Sequence, residues 1–185
     1  METSDPPQRD DSQRSFSPAW MAAGVVALLV LVLLGYALFD QPSELPRVGN
    51  PVPEFQLAAL DGSPMNLASQ RGNVVVINYF ASWCGPCQQE AADLEQTWRD
   101  YQGQGVQFYG IAYKDAASKA QAFLDRFEVS YPSAIDPGNR TARSYGVTGV
   151  PETFVVDAQG NLVHHFLGAI TRAQLSEKID SALEP

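Results

Sequence analysis

Residues 73–90 read NVVVINYFASWCGPCQQE and contain both cysteines of the 185-residue chain. The first part of this stretch is a nearly continuous apolar run rich in valine and isoleucine, which is typical of a strand buried on both faces. The residues that follow, QQEAADLEQTWRDYQ, place apolar side chains at helical spacing. The sequence therefore predicts a central strand, then a turn that carries Cys84 and Cys87, and then a helix.

The spacing of the two cysteines favours a redox site over a structural disulfide or a metal site. Closing a ring of four residues stabilises a fold by only about 2 kcal/mol, against nearly 5 kcal/mol for a ring of about 100 residues. Structural zinc takes about four protein ligands, whereas the cysteines supply two. His164 and His165 are adjacent on a predicted strand and point to opposite faces, so they cannot both reach one ion. Both histidines are interpreted as ordinary strand positions.

The start of a helix suits thiol exchange for a physical reason. Unpaired N–H groups and the positive end of the helix dipole lower a thiol pKa from about 8.5 into the range of about 3.5 to 7.5. Cys84 is therefore the predicted nucleophile. Cys87 lies one turn further along the same face and can attack the mixed disulfide that Cys84 forms with a substrate. Gly85 leaves room for a partner, and Pro86 suits a first helical turn.

The rest of the domain alternates between strand and helix patterns. A second strand is predicted over residues 106–113 and a helix over 116–127. Two further strands flank the turn AQG, over residues 152–157 and 161–168. An amphipathic helix capped by Thr171 ends the chain. The pattern predicts an α/β fold that closes with an antiparallel hairpin and a helix.

WCGPC after a buried strand, followed later by GVPETF, resembles the thioredoxin fold. The resemblance implies a central mixed sheet flanked by helices, with an N-terminal extension. From Val48 to Leu183 the chain is similar to the membrane-anchored extracytoplasmic branch of that fold, the TlpA/ResA group and the DsbE/CcmG proteins of cytochrome c biogenesis. Three segments favour DsbE/CcmG within the branch, namely YKD (113–115), YGVTGVPETF (145–154) and GAITRAQLSEKI (168–179).

The same resemblance implies roles for residues around the cysteines. Cys84 and Cys87 would form the redox-active disulfide, and Trp83 would support the exposed sulfur. Val150-Pro151 would be a cis peptide bond packed against that disulfide. The outward-facing backbone of Val150 could then hold a substrate segment as a short added strand.

Asn78 is a departure from cytoplasmic thioredoxin, which has a buried aspartate at that position. An amide cannot accept the proton of the resolving cysteine, so another base is needed. Glu90 matches a carboxylate typical of the TlpA/ResA group, and Glu152 follows the predicted cis-proline. The hypothesis is that one or both aid proton transfer at Cys87. The alternative is that Glu90 is a solvated first-turn carboxylate stabilised by the helix dipole.

An apolar segment precedes the domain. Residues 20–39 read WMAAGVVALLVLVLLGYALF without a charge, long enough to cross about 30 Å of hydrocarbon. The segment is longer than a signal-peptide core and lacks a small-x-small cleavage site, which favours an uncleaved anchor over a cleaved signal peptide. Arg9 and Arg14 lie before the segment and only Arg47 lies close behind it. The positive-inside rule therefore predicts a cytoplasmic N-terminus and a catalytic domain outside the cytoplasm.

These patterns divide the chain into four parts. We expect a disordered N-terminal tail at 1–18, a transmembrane signal anchor at 19–39, a linker at 40–47 and a thioredoxin-like domain at 48–185. The formal charge of −9 and the lack of a basic cluster argue against nucleic acid as a partner. The predicted location is the inner membrane of a bacterial cell, single-pass, with the catalytic domain on the periplasmic side.

The predicted function is thiol:disulfide oxidoreductase, with no cofactor and no metal. The resemblance implies reduction of apocytochrome c, directly or through a partner, and a membrane electron donor of the DsbD/CcdA type. A TlpA/ResA-like reductase for other proteins, such as copper-site assembly factors, is the first alternative. A disulfide-forming oxidant and a substrate-binding module with idle cysteines are the others. The direction of electron flow depends on donors that this chain does not encode.

Overall fold

The computed structural model describes residues 18–39 and 45–184. The chain divides into two compact units, Met1–Pro42 and Ser43–Pro185. The first unit contains helix α1 (Pro18–Phe39). The second contains the cysteines and the predicted sheet, and the site lies entirely within it.

The predicted membrane anchor at 19–39 coincides with α1. Across the part of the chain that the structure describes, no helix is both long and apolar enough to span a membrane. The anchor therefore stays a prediction. The predicted tail at 1–18 lies outside the described residues apart from Pro18, and residues 40–44 of the predicted linker lie outside them as well.

The elements of the second unit follow one another in an α/β order. In chain order they are β1 (Gln56–Ala58), β2 (Pro64–Asn66), β3 (Val74–Phe80), α2 (Gly85–Tyr101), β4 (Val106–Ala112), α3 (Ala117–Arg126), β5 (Ser133–Ile135), α4 (Arg140–Ser144), β6 (Glu152–Val156), β7 (Leu162–Leu167) and α5 (Arg172–Leu183).

The main sheet is mixed, with the strand order β5-β4-β3-β6-β7. Strand β3 lies at its centre, parallel to β4 and antiparallel to β6. All residues of β3 are buried, because both of its faces are covered. Strands β1 and β2 form a separate antiparallel hairpin. The predicted mixed sheet with flanking helices and an N-terminal extension is confirmed.

Alternation along β3 separates two cores. Val74 and Val76 pack with Leu94 of α2 and Ile179 of α5, and we call this side of the sheet the α2 face. Val75, Ile77 and Tyr79 point the other way and pack against the N-terminal extension, on what we call the hairpin face; their neighbours there include Phe55, Met65 and Tyr145. Each fully buried Val, Ile or Leu contributes roughly 1.5 to 3 kcal/mol. The two cores therefore hold β3, and the site after it, in place.

The sequence patterns identified the longer elements and missed the shortest ones. The strand predicted over 106–113 is β4, the helix over 116–127 is α3, and Thr171 caps α5 with a reciprocal Thr171–Gln174 capping box. Strands β1, β2 and β5 span three residues each. A three-residue strand is too short to show alternation, so these strands and the short helix α4 had no periodic signal.

Candidate active site

Cys84 lies between the central strand and α2 and is the N-cap residue of that helix. Its sulfur accepts a hydrogen bond from the backbone N–H of Cys87 at 3.1 Å. Pro86 occupies the first turn, where its missing N–H costs nothing. The prediction that the cysteine pair begins a helix is confirmed, and the helix dipole acts directly on the Cys84 sulfur.

The two cysteines form a disulfide with sulfur atoms 2.06 Å apart. Cys84 is 4% exposed and Cys87 is 1% exposed. Both pack in an apolar cluster that includes Phe80, Ala91 and Phe123. Because so little of either residue faces water, a substrate sulfur has to come into close contact with the surrounding loops to reach Cys84.

The loop before β6 approaches the disulfide from the opposite side of the turn. Its Val150–Pro151 peptide bond is cis, and the Val150 carbonyl oxygen lies 3.4 Å from the Cys84 sulfur. A disulfide sulfur has no hydrogen to donate, so this is a contact in the oxidised state; a Cys84 thiol at the same place could donate to that oxygen. The Gly168 N–H donates to the Pro151 carbonyl at 2.9 Å and ties the loop to the end of β7.

Trp83 and the loop before Cys84 are held by the segment after β4. Trp83 is 60% exposed, and its indole N–H donates to the Lys114 carbonyl at 3.3 Å. The Asp115 carboxylate accepts from the backbone N–H of Ser82 at 2.6 Å and from its hydroxyl at 3.0 Å. In the sequence, the YKD segment indicates only a resemblance to DsbE/CcmG proteins. The structure shows that Asp115 anchors the turn that presents Cys84.

Glu90 lies on the α2 face, 2% exposed. One carboxylate oxygen accepts from the Asn78 side-chain amide at 2.9 Å, and the other accepts from the Ile170 backbone N–H at 3.0 Å. The same Asn78 amide nitrogen donates to the Thr153 hydroxyl at 2.9 Å. The interpretation of Glu90 as a solvated carboxylate is therefore wrong, because the helix turns this residue toward the sheet.

Burial sets the acidity of Glu90. Loss of solvation raises the pKa of its carboxyl from 4.5 to about 7, although the hydrogen bonds from Ile170 and Asn78 pull it down. A carboxyl that titrates near neutral pH can both take up and release a proton there. Glu90 is one helical turn beyond Cys87, on the same side of α2. This arrangement suits proton exchange with the resolving thiol.

Glu152 lies on the hairpin face, across the sheet from Glu90, and is 3% exposed. One oxygen accepts from the backbone N–H groups of Thr148 at 3.0 Å and Gly149 at 3.2 Å. The other lies 2.8 Å from Nε2 of His165. The sequence hypothesis was that one or both of Glu152 and Glu90 serve the same task. Glu90 shares the Asn78 amide with Thr153 on the α2 face. Alternation along β6 turns Glu152, the residue before Thr153, to the other face.

The sequence predicts an ordinary strand position at His165. The structure places this residue on β7 and shows that its side chain contacts two residues of β6. Its ring stacks on Phe154 with centroids 4.0 Å apart and rests against the Glu152 carboxylate. The β6–β7 register puts His165 opposite Phe154 and His164 opposite Val155. The predicted hairpin showed that the two histidines face opposite ways, but only this register reveals which one reaches Glu152.

A family model described as Redoxin matches residues 47–183. The chain belongs to the Redoxin family. The thiol:disulfide interchange protein DsbE of Allochromatium vinosum is 36% identical to this Redoxin-family chain over 157 residues, covering 83% of the chain and 85% of that protein. The thiol-disulfide oxidoreductase ResA of Geobacillus thermodenitrificans is 29% identical over 160 residues, covering 85% and 92%.

A solved structure gives the same result for the fold of this Redoxin-family domain. The thiol:disulfide interchange protein of the thioredoxin family from Chlorobium tepidum superposes with a TM-score of 0.67 at 28% identity, over 76% of this chain and 99% of that one. The domain is therefore a thioredoxin-like protein of the TlpA/ResA/DsbE type and a thiol-disulfide oxidoreductase. Its substrates are proteins that carry cysteine thiols or disulfides.

Proposed function

We propose that the protein reduces disulfides of proteins outside the cytoplasm, with Cys84 as the attacking residue and Cys87 as the resolving residue. The observation that carries the resolving step is the buried carboxyl of Glu90, three residues beyond Cys87 on α2, with a pKa of about 7. Cys87 must lose its proton before it attacks, and in this proposal Glu90 accepts that proton. The reducing direction itself is supported by the resemblance to the DsbE/CcmG and TlpA/ResA proteins.

The reaction begins with the reduced pair. The Cys84 thiolate attacks one sulfur of the substrate disulfide, forming a mixed disulfide and releasing the other substrate sulfur as a thiolate. Cys87 gives its proton to Glu90, and its sulfur attacks the Cys84 sulfur. The Cys84–Cys87 disulfide forms, and the second substrate sulfur leaves. Two electrons have moved from the cysteine pair to the substrate, and a two-electron donor must restore the pair.

Other residues position these steps. The helix N-terminus stabilises the Cys84 thiolate, as the hydrogen bond from the Cys87 N–H to its sulfur illustrates. Glu152 fixes the loop before the cis-proline by accepting from Thr148 and Gly149. Trp83 borders the attacking sulfur on the solvent side. In this proposal Glu152 is a positioning residue, because its hydrogen bonds go to the loop and to His165.

The proposed substrate is apocytochrome c, whose haem-binding thiols must be reduced before haem attaches. The resemblance to DsbE/CcmG proteins and the 36% identity to the Allochromatium DsbE support this substrate. The same resemblance supports a membrane electron donor of the DsbD/CcdA type. It also supports a single-pass anchor at 19–39 in the bacterial inner membrane, with the domain on the periplasmic side. The similarity to ResA favours a second candidate, a reductase of other extracytoplasmic proteins.

Trapping tests the proposal directly. A Cys87→Ser variant cannot resolve the mixed disulfide, so substrates should remain attached to Cys84 and be identified by mass spectrometry. We expect apocytochrome c among them. The Cys84→Ser variant is the matched control and should capture nothing by this route. Capture of other thiol proteins without apocytochrome c would favour the second candidate, and a cysteine pair that is mainly oxidised in growing cells would contradict the reducing direction.

A further inference from the structure

A groove lies beside the start of α2, outside the residues assigned to the reaction. It has a volume of about 260 Å³ and runs between the α2 turn and α3. Small-molecule pockets usually measure about 300 to 1,000 Å³, so this groove fits one or two amino-acid side chains better than a cofactor. The lining residues that matter here are Ser82, Gln88, Lys119, Phe123, Arg126 and Phe127.

The floor of the groove is continuous with the packing around the disulfide. Phe123 packs against Phe80 of β3 with ring centroids 5.1 Å apart and against Phe127 with centroids 4.8 Å apart. Phe80 and Phe123 belong to the same apolar cluster as Cys84 and Cys87. Along the chain, Ser82 lies two residues before Cys84 and Gln88 directly follows Cys87. A segment bound at Cys84 therefore passes close to the groove.

The groove carries positive charge in a protein of net charge −9. Lys119 and Arg126 are both exposed, and seven residues apart they share one side of α3. The Arg126 guanidinium lies over the Phe127 ring, 5.2 Å from its centroid. Neither side chain forms an ion pair with any residue that the structure describes. Two cations on an aromatic floor match a carboxylate with an aliphatic stem.

The nearest carboxylates on the same segment are already engaged elsewhere. Asp115 accepts from Ser82 and from the backbone N–H of Ala116. Asp125 accepts from the Gln121 side chain at 2.8 Å. Neither carboxylate lines the groove, so the lining carries two positive charges and no negative one.

We propose that this groove, which we call the α3 groove, binds an aspartate or glutamate side chain of the substrate protein close to its reactive cysteine. The assignment rests on the proposed function, because the occupant is part of a segment that exchanges disulfides at Cys84. The acidic residue should lie about two to four positions from the substrate cysteine, since an extended chain advances roughly 3.3 Å per residue. The overall negative charge of the protein would by itself disfavour such a segment, so a preference for it has to arise locally.

The test compares two disulfide-linked peptides that are identical except at the positions about two to four residues from the cysteine, where one has glutamate and the other has glutamine. Both have amidated C-termini, which excludes a terminal carboxylate as the group recognised. We expect the reduced full-length protein to exchange with the glutamate peptide with an about fivefold higher second-order rate constant at low ionic strength. The ratio of the rates for the two peptides should approach about 1 near 0.5 M salt, because exposed charge pairs are screened there.

Charge reversal locates the preference. Lys119→Glu and Arg126→Glu should each reduce it, and the double variant should favour the glutamine peptide. Lys178→Glu on α5 makes the same change in net charge away from the groove and should keep the wild-type ratio. Equal rates for the two peptides, or an equal loss of preference in Lys178→Glu, would overturn the α3 groove proposal alone. Failure of the wild type to exchange with either peptide would instead contradict the proposed function.

Discussion

Two buried glutamates, Glu90 and Glu152, lie on opposite faces of the sheet and differ in what surrounds them. Glu90 accepts one hydrogen bond from a side-chain amide and one from the backbone of Ile170. Glu152 accepts two from one loop and lies within hydrogen-bonding distance of His165. Burial outweighs the hydrogen bonds of Glu90 and raises its pKa to about 7, which leaves a proton available for exchange at neutral pH.

The contrast sets the proposed proton carrier, Glu90, beside a second buried glutamate whose hydrogen bonds go to a loop. The donors around Glu152 belong to the loop that precedes the cis-proline, so the carboxylate holds that loop in place. The donors around Glu90 belong to the strand and to the turn before α5, and the helix that carries Glu90 also carries Cys87. Substitutions can therefore separate a residue that exchanges protons from a residue that holds a loop.

The largest effect is expected from Asn78→Asp. This change removes the amide that donates to Glu90 and Thr153 and places a second carboxyl beside the first. Two buried carboxyls in hydrogen-bond contact cannot both ionise, so the free energy of unfolding should fall by about 3 to 4 kcal/mol at pH 7. Urea denaturation measures it, and the loss should shrink below about pH 4, where unfolded carboxyls are protonated too.

The double variant Asn78→Asp/Glu90→Gln is the control for that prediction. It exchanges the positions of the amide and the carboxyl. The glutamine amide nitrogen can donate to the new aspartate, and the glutamine carbonyl oxygen can accept from the Ile170 N–H. We expect it to recover most of the stability lost in Asn78→Asp. A double variant whose loss of stability equals the sum of the two single losses would show that Glu90 and residue 78 do not act as a pair.

The next effect concerns pH and Glu90. Its carboxyl has a pKa of about 7 in the folded protein against 4.5 as the ordinary value, so the folded state binds more protons than the unfolded state between these values. The free energy of unfolding is then highest below about pH 4.5 and falls as pH rises through about 7, by roughly 3 kcal/mol from this group. Urea denaturation of the disulfide form at several pH values measures the slope.

Glu90→Gln should remove this fall, and the difference between wild type and variant isolates it from other titrating groups. The rate at which a mixed disulfide on Cys84 is resolved should also lose an inflection near pH 7 in the variant. Glu90→Asp, which keeps a carboxyl, should retain an inflection. A variant Glu90→Gln whose pH profiles match those of the wild type would refute the proton-carrier role.

The smallest effects are expected from Glu152→Gln and from the change of its partner His165. The amide oxygen can keep one backbone donor, but the charge and the second acceptor are lost, so the free energy of unfolding should fall by about 2 kcal/mol. The exchange rate should fall, but the inflection near pH 7 should remain, because the proposal assigns that inflection to Glu90. His165→Gln changes the other member of the Glu152–His165 contact and should lower the free energy of unfolding by about 1 kcal/mol. A change in the shape of the pH profile in Glu152→Gln would show that Glu152, like Glu90 in the proposal, takes part in proton exchange.

The sequence was sufficient for the part of the site that follows from local rules. Val74–Phe80 is apolar and strand-length, and Cys84 and Cys87 follow with a proline between them, so strand, turn and helix start were all predictable. That Glu90 faces the sheet was open, because the start of a helix has both solvated and buried sides, and Glu90 is the sixth residue of α2. Only the packing of α2 against the sheet decides it.

Long-range pairing explains what the sequence could not provide. The separation of Glu152 from Glu90 depends on the register between β3 and β6, and the contact with His165 depends on the register between β6 and β7. The register between β6 and β7 includes an irregularity between Val155 and Val156, which shifts the pairing of the two strands by one residue. Tertiary packing sets the register of these strands, and the local sequence around each residue does not predict it.

The central position of β3 has a consequence for amide hydrogen exchange. Asn78 and Tyr79 are consecutive residues of this strand, and their side chains lie on the α2 face and on the hairpin face, respectively. Every residue of β3 is buried between paired neighbours, so its amide hydrogens should exchange with deuterium only when the whole domain opens. The same few amides should therefore report the loss of either glutamate, whereas amides of the Thr148 and Gly149 loop should respond to Glu152 alone.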